Sequence, residues 1–197
     1  LGTVYDKSQR VAALASTIAE WISADMKICA RAASLSKCDL LTLMVGEFAE
    51  LQGLMGYYYA LHDGEPKELA QALNEQYMPR FSGDDLPSSK TGIALALADK
   101  LDSLVGIFGI GQPPTGSKDP FALRRSAIGV LRIIVERELD LDLLDCITQA
   151  VYGFRGIKLA EDTTGEVFEF LLERFKAWSI DEGVTAEEFQ SVIAIKP

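Results

Sequence analysis

Gly106-Ile-Phe-Gly-Ile-Gly-Gln-Pro-Pro-Thr-Gly-Ser-Lys-Asp-Pro-Phe-Ala-Leu-Arg-Arg125 runs on into Ser126-Ala-Ile-Gly-Val-Leu-Arg132. The segment closes one helix, crosses a Gly/Pro loop and opens a second helix. Gly109, Gly111, Pro113, Pro114 and Gly116 continue a helix only at a cost, so the loop spans Gly109 to Lys118. Asp119 is a good N-cap, and Pro120 then falls at the first helical position, where its missing N–H is harmless. Leu123, Ala127, Val130, Leu131 and Ile134 repeat as one apolar stripe. Arg125 and Arg132 stand two turns apart on another face, with Arg124 displaced around the axis. Lys118, Arg124, Arg125 and Arg132 against Asp119 give a local charge of +3 in a chain of net charge −10. Cations beside a helix N-terminus with free N–H groups make an anion site, and a capped, solvated helix is the plainer reading of the same residues.

Outward from this segment, helical periodicity recurs and strand alternation does not. Val11, Leu14, Ala15, Ile18, Trp21 and Ile22 share a face, with Asp6 as the cap upstream, and Asp25 caps a second helix to about Leu35. Residues 39–62 read as two helices broken at Gly46, with Gly53 and Gly56 inside the second to let another helix come close. Pro66 opens the next helix and Pro79 ends it. A polar loop, Phe81 to Thr91, leads to a helix from about Gly92 to Phe108 that buries Ile93, Leu97, Leu101, Leu104, Val105 and Phe108. Asp140 and Asp142 flank the start of another helix. Phe168, Leu171, Leu172, Phe175 and Trp178 mark a long one, and Thr185-Ala-Glu-Glu188 is a capping box. The fold class is all-α.

Composition excludes several functions. At 48% hydrophobic and 24% charged the 197 residues are globular, and 29 acids against 19 bases argue against coating nucleic acid or an anionic membrane. No apolar run approaches a membrane span and no signal peptide is visible, so a cytoplasmic location is expected. Cys29, Cys38 and Cys146 are widely spaced and odd in number, and with a single His they make a zinc cage improbable. The start at Leu1 and the Lys-Pro end suggest a piece of a longer chain. Gly106-Ile-Phe-Gly-Ile-Gly111 follows no strand and has the wrong spacing for a nucleotide loop, and the lone His leaves any serine without a triad partner.

The run Gly109 to Arg125 resembles the corresponding segment of the β subunit of the bacterial two-subunit glycyl-tRNA synthetases. Met44-Val-Gly-Glu-Phe-Ala-Glu-Leu-Gln-Gly-Leu-Met-Gly56, the following Tyr57-Tyr-Tyr59, Ala94-Leu-Ala-Leu-Ala-Asp-Lys-Leu-Asp102 and Leu1-Gly-Thr-Val-Tyr-Asp-Lys-Ser-Gln-Arg10 resemble it too. Ala49 departs from the pattern, where the family's run leads one to expect proline. The resemblance is dense over residues 1–137 and thins beyond. It implies an HD-domain-like helical bundle over 1–137 and a helical extension over 138–197 towards the rest of the β subunit.

HD domains are metal-dependent phosphohydrolases that need a His, a His-Asp doublet and a later Asp around two divalent metals. By this resemblance Cys38-Asp39 falls at the doublet, beside Lys37, and Asp99 at the final Asp. The doublet's His is therefore replaced and none lies upstream, so the implied site is catalytically dead and holds no metal. His62-Asp63 precedes Gly64 at a helix end and reads as a turn.

For the parent complex the resemblance implies attachment of glycine to tRNA(Gly) with ATP and Mg, at a site on the separate α subunit. In this chain it implies no catalytic residue and no cofactor. The expected role is tRNA binding, at the acceptor arm, through Lys118, Arg124, Arg125 and Arg132, with Lys90 and Lys100 as weaker contacts. The expected partners are tRNA, the α subunit and the remaining β-subunit domains. Three other readings stay open: a residual HD-type phosphohydrolase, a structural spacer at the subunit interface, and arginines that neutralise Asp99 and Asp102 internally.

Overall fold

Twenty consecutive residues, Lys90–Gly109, form a helix with sixteen of them buried, and the rest of the chain is wrapped around it. A helix apolar on every face must be covered on every face. The computed structural model describes residues 1–194. Their helices are α1 (Val4–Trp21), α2 (Met26–Leu35), α3 (Leu43–Glu47), α4 (Leu54–His62), α5 (Lys67–Glu75), α6 (Lys90–Gly109), α7 (Leu123–Glu136), α8 (Leu143–Tyr152), α9 (Thr163–Asp181) and α10 (Ala186–Ala194). Short 3-10 turns occupy Cys38–Leu41 and Ala49–Leu51. The described residues contain no strand, and the fold is all-α. None of these helices is long and apolar enough to cross a membrane.

α1, α2, α5, α7, α8 and α9 all pack on α6. Leu97, Leu101 and Leu104 of α6 share one continuous core with Ile18 of α1, Leu69 of α5, Ile133 of α7, Ile147 of α8 and Leu171 of α9. The core thus runs across residue 137 without a break, and the helices after it complete the coat around α6. Gly109 shows how closely the loop before α9 approaches. A Cβ there would stand 2.6 Å from Leu159, and the Gly109 carbonyl accepts a hydrogen bond from Ala160 N at 2.8 Å.

The cap of α1 differs from the sequence expectation. Thr3, not Asp6, caps α1; its hydroxyl accepts from Asp6 N at 3.2 Å while the Asp6 carboxylate accepts from Thr3 N at 2.7 Å. Asp6 is therefore the third residue of the helix in a reciprocal capping box. Asp25, Asp142 and the Thr185–Glu188 box sit as expected. Gly53 lies just before α4 rather than inside it, with a φ of +80° that disfavours other residues, and it abuts the Tyr77 ring. Gly56 lies against Leu73 of α5 and the Asp39 carboxylate, so close packing explains both glycines.

Candidate nucleic-acid interface

The loop between α6 and α7 is a chain of turns. Thr115 and Lys118 exchange two backbone hydrogen bonds, of 3.1 and 2.8 Å, which leaves the Lys118 side chain exposed. α7 begins at Leu123, three residues later than expected, and is preceded by Ala122 in the left-handed region at φ +53°. Asp119 still serves the helix start, from outside it: its carboxylate accepts from Leu123 N at 2.8 Å and Arg124 N at 2.9 Å. Those N–H groups are therefore satisfied internally, and the helix N-terminus does not offer them to an anion as the sequence leads one to expect.

The arginines of α7 have different surroundings. Arg124 is half-buried and its Nη2 donates to the Gly116 carbonyl at 2.7 Å, which ties the loop to the helix. Arg125 is exposed and has no hydrogen-bond or ion-pair partner among the described residues. Arg132 is bonded to Glu136 at 2.6 Å and donates to the Asp84 carbonyl at 3.2 Å. Lys90 stands at the opposite end of α6 from the loop, about 30 Å of helix away, where it donates to the Ser23 carbonyl at 3.2 Å. Lys100 is buried. Its Nζ donates to the Gln76 and Met78 carbonyls at 3.2 and 2.7 Å, which removes it from the outer surface. Burial lowers its pKa to about 8 against the opposing pull of Asp99. Lys118, Arg124 and Arg125 thus form the local group, with Arg132 two turns on.

The carboxylates at the expected HD positions are already engaged. Cys38 is exposed, whereas Asp39 is buried with Oδ2 accepting from Gly53 N at 2.6 Å. Asp99 lies between two ammonium groups, Lys7 Nζ and Lys37 Nζ, each at 3.2 Å. Burial opposes the charge on Asp99, but Lys37, Lys7 and Lys100 outweigh it and hold the carboxyl well below the usual carboxylate range. Asp102, one turn on, is bonded to Arg10 Nε at 2.7 Å and to Lys7 Nζ at 3.2 Å. Lys37 also donates to Gln76 at 2.8 Å and lies over the Tyr77 ring. These residues do not fit a two-metal centre, because ammonium groups stand against the carboxylate a metal would need and no imidazole accompanies it. Neutralisation of Asp99 and Asp102 is real, but it comes from Lys7, Arg10 and Lys37 rather than from the α7 arginines.

Arg125 lies at a cavity of about 360 Å³ between the start of α7 and the end of α5. Arg80, Lys100 and Gln52 line it with Arg125, and Ala49 and Pro79 add apolar wall. A larger groove of about 950 Å³ shares Pro79 and Arg125 with it and continues along α7 past Arg124 and Arg132. Arg80, which donates to Asn74 Oδ1 at 2.7 Å, is the cation that sequence reasoning missed. Its only signal is a position directly after Pro79, which the sequence leads one to expect at the end of α5, although α5 ends at Glu75.

Residues 1–194 match the family model described as glycyl-tRNA synthetase beta subunit. The chain belongs to that family. A glycine–tRNA ligase beta subunit from Pseudomonas fluorescens is 57% identical over 197 residues, covering 100% of this chain and 29% of the relative. The Ectopseudomonas mendocina protein of the same name is 56% identical over the same share of each chain. That of Chromohalobacter salexigens is 56% identical over 194 residues, 98% of this chain and 28% of its own. The chain therefore spans less than a third of the length of these curated relatives. The similarity to the glycyl-tRNA synthetase β-subunit family, dense in motifs over residues 1–137, extends over the whole chain.

Proposed function

We propose that this chain is the part of a glycine–tRNA ligase β subunit that grips the backbone of the tRNA acceptor arm. Aminoacylation, with its ATP and Mg, belongs on this reading to the separate α subunit, and the fragment works by positioning. The observation that carries the proposal is Arg125: an exposed guanidinium with no internal partner, beside Arg124 and Lys118, in a chain of net charge −10. A cation left unpaired amid excess acid is available to an external anion. RNA helices are recognised through shape, phosphate and 2′-OH contacts, for which such a ledge on a rigid helix suffices. The HD resemblance supplies a scaffold in this proposal and no hydrolysis, since Asp99 is held by lysines.

The test uses the complete two-subunit enzyme with Arg124→Ala and Arg125→Ala together. Affinity for tRNA should fall by at least about tenfold, the scale of one lost charge-assisted contact. The salt slope of log Kd should shrink by about one for each phosphate contact removed. An unchanged affinity and slope would assign these arginines to solvent or to another part of the enzyme.

A further inference from the structure

The cavity at Arg125 has a lining that selects a ligand class. Three cations reach it, Arg80, Lys100 and Arg125. Its acids are Glu50, which is exposed, and Asp99, already held by the ammonium groups of Lys7 and Lys37. The balance left for a guest is positive. The Arg125 guanidinium is uncommitted, Lys100 spends two of its three N–H groups on carbonyls, and Arg80 bonds Asn74 Oδ1 at 2.7 Å and faces Asp84 at 4.0 Å, which leaves Arg125 as the principal anchor. Ala49 and Pro79 add apolar lining to the same cavity. At about 360 Å³ the space exceeds what a bare phosphate needs and reaches the lower end of small-molecule pockets, about 300 Å³ upward. The larger groove along α7 opens onto the same two residues, Pro79 and Arg125; its far part is lined by Glu136, Asp181 and Glu182, with Arg132 held by Glu136, so a strand entering over Arg124 would bring its end to the cavity.

We infer that this cavity binds a nucleotide bearing a 5′-phosphomonoester, its phosphate on Arg125 and Arg80 and its base against Pro79 and Ala49. A monoester carries up to two charges and ends a chain, which suits a positively balanced recess better than a singly charged diester that must enter and leave. Two sources share this chemistry, the 5′ terminus of tRNA and a free nucleoside monophosphate. The first rests on the tRNA-binding reading given above.

The experiment compares tRNA carrying a 5′-monophosphate with the same tRNA after phosphatase treatment, on the complete two-subunit enzyme. Loss of the phosphate should weaken binding about tenfold. Arg125→Ala should bind both forms alike, and since Arg125 has no internal partner the variant should fold normally. A parallel titration of the full-length β subunit with adenosine 5′-monophosphate, against adenosine, identifies the other source. Equal binding of both tRNA forms, with AMP binding that Arg125→Ala abolishes, assigns the cavity to free nucleotides and overturns the tRNA terminus. Equal tRNA binding with no Arg125-dependent AMP binding overturns the inference altogether. In either case an Arg124/Arg125-dependent salt slope would leave the broader tRNA reading intact.

Discussion

Asp102→Asn keeps the shape of a side chain at the centre of the fold, removes its charge and replaces one acceptor oxygen by an NH2 donor. The carboxylate is 5% exposed and accepts from Arg10 Nε at 2.7 Å, Arg10 Nη2 at 3.2 Å and Lys7 Nζ at 3.2 Å. Its loss leaves Lys7 with Asp99, also at 3.2 Å, but strands Arg10. Arg10 keeps the Leu1 carbonyl at 3.0 Å and the Phe154 ring at 4.2 Å, neither of which carries a compensating charge. Removing one partner of a buried ion pair costs about 3–5 kcal/mol, and the remaining contacts of Arg10 place this case at about 3. For a chain of this length each kcal/mol lowers Tm by about 2–4 °C, so a fall of about 6–12 °C is expected.

Thermal unfolding of the 1–197 chain, whose core lies within it, reads the effect directly. Because the pair is buried, the fall should persist from low to high salt, where a surface pair would be screened away. Asp102→Asn with Arg10→Met should cost less than the sum of the single changes, with a coupling of about 2 kcal/mol. A single-variant loss below about 1 kcal/mol that vanishes in salt would refute the argument, since that is how exposed pairs behave.

Three more outcomes follow from buried groups. Glu75 accepts from Ser88 N and Oγ, Ser89 N and Oγ, and Gln71 Nε2, and ties α5 to the start of α6. Burial works against its charge, yet the serine hydrogen bonds win and lower its pKa below 4.5. A carboxyl depressed in the folded state contributes stability above its unfolded pKa and loses it as pH falls through the folded value. Glu75→Gln should therefore cost about 2 kcal/mol in urea unfolding at pH 7, and the gap should narrow as the pH falls below 4.5 and close once it passes the lowered folded-state value. Among the thiols only Cys38 is exposed, while Cys29 and Cys146 are buried and burial pushes Cys146 up to about 12. Ellman's reagent should find one reactive thiol in the native chain and three in denaturant. Gly109→Ala would drive a methyl against Leu159 and should cost about 1–3 kcal/mol in the same unfolding assay.

The helices were legible because burial writes a period into sequence. The stripe from Ile93 to Phe108 marks α6, but one stripe understates a helix in which Ala94, Leu95, Ala96 and Ala98 are buried as well. Alanine is small enough for either side of a helix, so the sequence showed an amphipathic face where the fold holds a central rod. The start of α7 was misplaced for a related reason. Asp119-Pro120 satisfies the local rules for a cap, but the same carboxylate reaches Leu123 N and Arg124 N across one more turn of loop, and only the tertiary setting chooses between the two.

The cations were the hardest residues to place, because charge in a sequence carries no partner. Lys100 and Arg125 looked alike as members of one basic set. One is bound inside on two carbonyls and the other points outward unpaired. Lys7, Arg10 and Lys37 lay far along the chain from Asp99 and Asp102, so no spacing rule could join them, yet the fold brings three cations to two acids one turn apart on α6. That arrangement bears on function. With its own lysines and Arg10 satisfying the internal acids, the molecule leaves the α7 arginines without an internal acid at Asp99 or Asp102 to answer, and Arg125 with no internal acid at all. Arg125's freedom from an internal acid is thus set by the ion pairs that hold Asp99 in the lining of the same cavity, and a loss of both Lys7 and Lys37 would be felt there through an Asp99 free to attract Arg125.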